Sequence, residues 1–179
     1  MLGSGLSSRL NQEIRVKRGL AYGAGSSLSA RRIVGGFTAS TQTKNESAAQ
    51  VVGLIRQELA GMATVPATPA ELTARKSALV GDFGRDIGTT DGLAGMLGGL
   101  AVYNIDLGEM NLFTGKVEAV TAQDVSAFSA DILDPAKASV IIVGDASKFG
   151  PDIKTAVPDA TVIPIGELNL DSPTLKKGQ

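Results

Sequence analysis

The chain has 179 residues with 17 basic and 18 acidic side chains, a formal net charge of -1, and neither histidine nor cysteine. That length suits one domain with a proper core, while the charge balance and a 4% aromatic content exclude an electrostatic or base-stacking footprint for nucleic acid. The missing histidines and cysteines exclude the usual zinc, copper and haem ligand sets and the Ser-His and Cys-His nucleophile pairs, and leave the redox compartment undetermined.

Met1 runs directly into Leu2-Gly3-Ser4-Gly5 without a basic or apolar leader, so the sequence as it stands carries no signal peptide. Gly3-Ser4-Gly5 lacks the preceding strand and the later acidic residue of a dinucleotide fingerprint, so it reads as a tight turn before a helix. Leu6, Leu10 and Ile14 share one face of that helix, and Arg9, Glu13 and Lys17 are spaced for successive i,i+4 ion pairs. Gly19 ends it, since glycine readily takes the left-handed backbone that stops helices, and Leu20–Leu28 follows as a strand. Arg15 and Tyr22 straddle this junction. A helix that turns back into a strand can bring the guanidinium and the phenol over one surface. Taken singly, each has a plainer reading, as a solvated helix arginine and as a tyrosine packed at a sheet edge. Arg18 competes with Arg15 and loses on the spacing to Tyr22.

Ile33–Thr41 forms a second strand-like run, giving a hairpin with Arg31-Arg32 at its tip. A helix is predicted from Asn45 to Met62, capped by Asn45, with Val51, Val52, Ile55 and Leu59 on its apolar stripe. After the Val65–Pro69 linker, Thr68 caps a helix that runs to about Ile87, with Pro69 at its first position and Glu71 just inside. Asp82-Phe83-Gly84 matches the kinase magnesium tripeptide without any of its companion motifs, and is a coincidence. Gly92–Tyr103 is expected as a buried helix, too short and too rich in glycine for a membrane span. A short helix and a loop follow in Leu107–Val120.

Thr121 caps a further helix with Val125, Phe128 and Ile132 on its buried face, stopped by Asp134-Pro135. The β-branched run Ala138–Gly144 is predicted as a central strand, Lys148–Ala156 as a short helix, Thr161–Ile165 as a last strand, and 168–179 as an exposed tail. The order predicts a single α+β domain over 1–179, in two layers, with helices on one face of a mostly antiparallel sheet.

The run from Gly3 to Arg15, followed by Lys17-Arg18-Gly19-Leu20-Ala21-Tyr22, resembles the signature of the insulinase/pitrilysin (inverzincin) metallopeptidases and the mitochondrial processing peptidases. Glu118–Val125 resembles that family's entry to its last helix, and Val140–Asp145 its closing strand. The resemblance implies a half-enzyme, because family domains pair around a chamber and one of them carries an H-x-x-E-H zinc site that a chain without histidine cannot supply. It implies that Arg15 and Tyr22 bind the peptide substrate. Tyr22 would also act catalytically in the assembled enzyme, as a donor to the scissile carbonyl. No metal or other cofactor is expected in this chain. Zinc is expected in a histidine-bearing partner domain or subunit, and the chain alone is not expected to be active.

Family domains begin with strands well before the glycine-rich turn. The resemblance therefore implies an N-terminally truncated C-terminal-type domain lacking its first strands, with an open sheet edge suited to homodimerisation. The tail from Leu168 to Leu175 resembles bacterial members, which implies a periplasmic location, with the cytoplasm as the alternative. The other function compatible with the resemblance is a structural or interaction subunit without a peptidase role.

Overall fold

Two fully buried side chains, Leu10 and Ile14, fix how the first segment sits. Ile14 projects from a helical turn, Asn11–Val16, and Leu10 from the residue that precedes it, into a cluster completed by Leu2, Ala24, Val51, Leu54, Leu59, Met62 and Leu133. The structure, a computed structural model, describes residues 1–177, and the last two residues of the expected tail lie outside the described residues. The turn is wound as a π-helix: the N–H of Lys17 donates to the Gln12 carbonyl at 2.9 Å. Leu6, expected on the buried face, is 54% exposed because it precedes the helical turns.

Gly19 adopts φ +60°, a conformation costly for other residues, and reverses the chain into strand β1, Ala21–Ser29. Strand β2, Gly36–Thr43, pairs antiparallel with it, and Arg31 and Arg32 lie in the connection, as expected. The register breaks between Ala21 and Ala24, so Tyr22 and Gly23 form an irregularity in the ladder.

A short 3-10 turn, Asn45–Ser47, leads into helix α1, Ala48–Thr64, which packs its Val51, Leu54, Leu59 and Met62 over the hairpin and the first helical turn. Asn45 does not cap it. Its side-chain oxygen instead accepts the Asp145 N–H at 3.3 Å. Helix α2, Pro69–Ile87, starts with a complete capping box between Thr68 and Glu71 and the expected proline at its first turn. Helices α3, Thr90–Val102, and α4, Glu109–Ala119, pack against α2, with Thr89 capping α3. Helices α5, Ala122–Ile132, capped by Thr121, and α6, Ala146–Ala156, return to α1.

The architecture is α+β with an antiparallel sheet, as predicted, but several expectations about its elements fail. Ala138–Gly144 is not a central strand. Among the described residues its backbone has no ladder partner, and Ile141 and Val143 are 84% and 95% exposed while Ile142 rests on the Ala48/Phe149/Ile153 cluster. Burial thus alternates as in a strand that faces α1 on one side, but β composition forms a sheet only where a second backbone supplies hydrogen bonds. Thr161–Ile165 likewise forms no strand and leads into a 3-10 turn, Ile165–Glu167. Helix α3 is not buried: none of its residues is enclosed, and Val102 is 72% exposed. Its seam with α2 and α4 is instead a groove of about 490 Å³ floored by the stacked rings of Phe83 and Phe113, whose centroids are 4.4 Å apart. Phe128 and Ile132 of α5 are also half exposed, leaving Val125 as the member of that stripe packed on the core.

Candidate functional site

The Gly19 reversal places the first helical turn beside the start of β1. The guanidinium carbon of Arg15 lies 4.7 Å from the centroid of the Tyr22 ring, a cation–π contact. Tyr22 is 89% exposed, so the phenol and most of the ring face solvent while one face carries the arginine. Such a contact contributes about 0.5–1 kcal/mol at an exposed site. It orients the two groups; it does not hold the fold together.

The neighbouring charges explain why Arg15 is the cation at Tyr22. Glu13 is ion-paired with both Lys17 and Arg18, and Arg18 also donates to the Glu13 carbonyl at 3.0 Å. The hydrogen bond from Lys17, then that from Arg18, holds the Glu13 carboxyl below its ordinary range. Among the described residues Arg15 has no carboxylate partner, which leaves its charge available to a ligand.

Arg9 does not take the predicted place in the i,i+4 series. Its Nε donates to Glu71 at 2.9 Å, and its guanidinium also reaches the carbonyls of Gly61, Val65 and Pro66. A bidentate carboxylate at the start of α2, backed by the carbonyls of the α1–α2 corner, offers more than a neighbour on the same turn. Between this corner and the first helical turn runs a cleft of about 760 Å³, with Gln12, Glu13, Gln57 and Glu58 among the residues on its walls. Burial, then the charge of Glu13, raises the Glu58 carboxyl above its ordinary range.

The sequence reading passed over Asn11, which is 6% exposed. Its side-chain amide donates to the Ala24 carbonyl at 2.6 Å and its oxygen accepts the Ala24 N–H at 3.0 Å. An asparagine between Leu10 and Ile14 was the available signal, because a polar side chain beside the buried stripe of a short helix requires internal partners.

Among the described residues no group of three or more histidines, cysteines, aspartates or glutamates could hold a metal. With no histidine or cysteine in the sequence, the residues present do not fit a zinc site. No helix among the described residues is long and apolar enough to cross a membrane.

Residues 1–79, which contain both Arg15 and Tyr22, match the family model described as the peptidase M16 inactive domain. The first part of the chain is thus similar to a peptidase M16 inactive domain. The resemblance of its first stretch to the insulinase/pitrilysin metallopeptidases agrees with this match, and so does the non-catalytic type of domain that it implies.

Among solved structures, the M16 inactive domain from Pseudomonas fluorescens is similar at 28% identity and a TM-score of 0.70, over 76% of this chain and 32% of that one. A protease from Helicobacter pylori shares the fold at 23% identity and a TM-score of 0.57, over 73% of this chain and 32% of that one. The chain thus spans about a third of the length of each. A search of curated proteins finds no match.

Proposed function

We propose that this chain is an M16-type inactive domain and the substrate-binding half of a zinc metallopeptidase, completing a peptide-cleaving chamber with a histidine-bearing catalytic domain in the same or another chain. The observation that supports this reading is the Arg15–Tyr22 contact, a guanidinium without a carboxylate partner among the described residues against an exposed phenol, within the part of the chain that matches the family model. The resemblance to the insulinase/pitrilysin metallopeptidases implies that such an inactive domain pairs with a catalytic one.

The chemistry assigned to each group follows from its type. Arg15 presents a planar fork of donors that can hold a peptide carbonyl or a terminal carboxylate in two parallel hydrogen bonds. Tyr22 keeps its phenol free to donate to the scissile carbonyl as that oxygen acquires negative charge, which lowers the barrier because the donor is already oriented. The guanidinium against the ring limits the swing of both side chains, so less freedom is lost when a peptide arrives. Zinc belongs to the catalytic domain in this reading, which also takes the bacterial periplasm as the site of action.

The test is reconstitution. A histidine-bearing catalytic domain is assayed on an unstructured peptide with and without this domain, in the context of the complete parent protein. Cleavage that requires both halves supports the proposal. Cleavage by the catalytic half alone at the same rate refutes it.

The reading as an interaction subunit is favoured by a separate observation. The accessible surface is 11819 Å², whereas an ordinary monomer of 18.3 kDa exposes roughly 8,100 Å². The excess of about 3,700 Å² is larger than one side of an obligate interface. It includes Ile33, Val34, Ile141 and Val143, all more than 70% exposed. Strand β2 reads Gly-Phe-Thr-Ala-Ser-Thr-Gln-Thr along its outer edge, with no lysine, proline or other charge to discourage pairing. That edge is the proposed seam for a second copy.

A further inference from the structure

We infer that Asn11 is the positioning residue that seats Arg15 over Tyr22, an inference that rests on reading those two side chains as the peptide-gripping pair. Ordinarily the edge of β1 facing away from β2 would be satisfied by a third strand. Here the Asn11 side chain stands in for one. A carboxamide carries the same donor and acceptor as a peptide unit, and Asn11 uses both on a single residue, Ala24: Nδ2 donates to its carbonyl at 2.6 Å and Oδ1 accepts its N–H at 3.0 Å. Nδ2 also reaches the Ser8 hydroxyl at 3.0 Å and the Gly5 carbonyl at 3.2 Å, so the amide is anchored on its other side. The Gly3 carbonyl continues the imitation by accepting the Ser26 N–H at 3.2 Å.

The location of this clamp gives it a role beyond stability. Ala24 is the first residue to recover the β2 register after the break that contains Tyr22 and Gly23. Without a fixed point there, the irregular stretch could slide by a residue and turn the phenol to the other face of the sheet. On the helical side, Arg15 follows Asn11 by four residues, about one turn. One buried amide therefore ties the strand two residues from Tyr22 to the helix one turn from Arg15.

The experiment reads geometry directly and uses neither peptide nor partner, so it can fail while the peptidase reading stands, and the reverse. The chain has two tyrosines, and Tyr103→Phe leaves Tyr22 as the sole tyrosine signal in nuclear magnetic resonance. In that background the Arg15 side-chain protons should show ring-current shifts and nuclear Overhauser contacts to Tyr22. Asn11→Asp keeps the acceptor for the Ala24 N–H but sets a second oxygen against the Ala24 carbonyl, and should lose both signals while the far-ultraviolet circular dichroism is retained. Unchanged shifts and contacts in a folded Asn11→Asp or Asn11→Ala variant would overturn the inference. Should neither variant fold, a temperature series on the Tyr103→Phe protein decides: the Arg15–Tyr22 contacts must fade in step with protection of the Ala24 amide from exchange, and independent loss overturns the inference.

Discussion

Arg15 lies against one face of Tyr22, 4.7 Å from guanidinium carbon to ring centroid, although the two belong to different elements and are joined through a left-handed glycine. Neither residue carries the fold, since Tyr22 is almost fully exposed. Tyr22→Phe and Arg15→Ala should each change unfolding free energy by less than about 1 kcal/mol, the value of an exposed cation–π contact. Ile14→Ala, one residue away and fully buried, should cost about 2–5 kcal/mol by leaving a cavity. Urea denaturation of the three variants separates the effects.

Gly19 is a second lever on the same pair. Its φ of +60° strains any residue with a Cβ, although nothing else lies within 4 Å of where that carbon would stand. Gly19→Ala should therefore destabilise by about 1 kcal/mol through backbone strain alone. A second substitution, Gly36→Ala, at an open position without positive φ, serves as the control and should be near neutral.

The Arg9–Glu71 pair gives a pH signature. The hydrogen bond from Arg9, aided by those from Thr68, lowers the Glu71 carboxyl from 4.5 to about 2. A carboxyl whose pKa is depressed on folding stabilises the protein above its unfolded value, so this contribution is complete above about pH 4.5 and is lost as pH falls toward 2. Glu71→Gln should lower stability at neutral pH and flatten the stability profile between those limits. Thr68→Ala should remove about 1 kcal/mol by uncapping α2. Thermal unfolding from pH 2 to 7 checks both.

The β2 edge yields a prediction about association. Sedimentation velocity should reveal a reversible dimer that strengthens with concentration, and Ser40→Lys, on an exposed edge position, should shift it toward monomer without changing the hairpin. A monomer at every concentration would leave the apolar surface to a different partner.

Features set by a few neighbouring residues were legible in the sequence. Gly19 had to break the helix, Thr68 and Thr121 had to cap theirs, and seven residues across a helix–strand reversal sufficed to bring Arg15 to Tyr22. Features that depend on distant partners were not. Arg9 chose Glu71, 62 positions away, over Glu13. Ala138–Gly144 has strand composition and strand-like burial without a neighbouring backbone, a matter that local propensity does not decide. Asn11 escaped notice because its partner, Ala24, is apolar in side chain and contributes only its backbone.

The most direct test of the proposed role is the rate of peptide cleavage by the complete parent protein with its histidine-bearing domain, comparing wild type with Arg15→Ala and Tyr22→Phe at equal assembly. Loss of the Tyr22 hydroxyl should reduce kcat about a hundredfold, as removal of a transition-state donor does, and Arg15→Ala should act mainly by raising KM. Wild-type rates in both variants, with the assembly intact, would contradict the assignment of this domain as the half that grips the substrate.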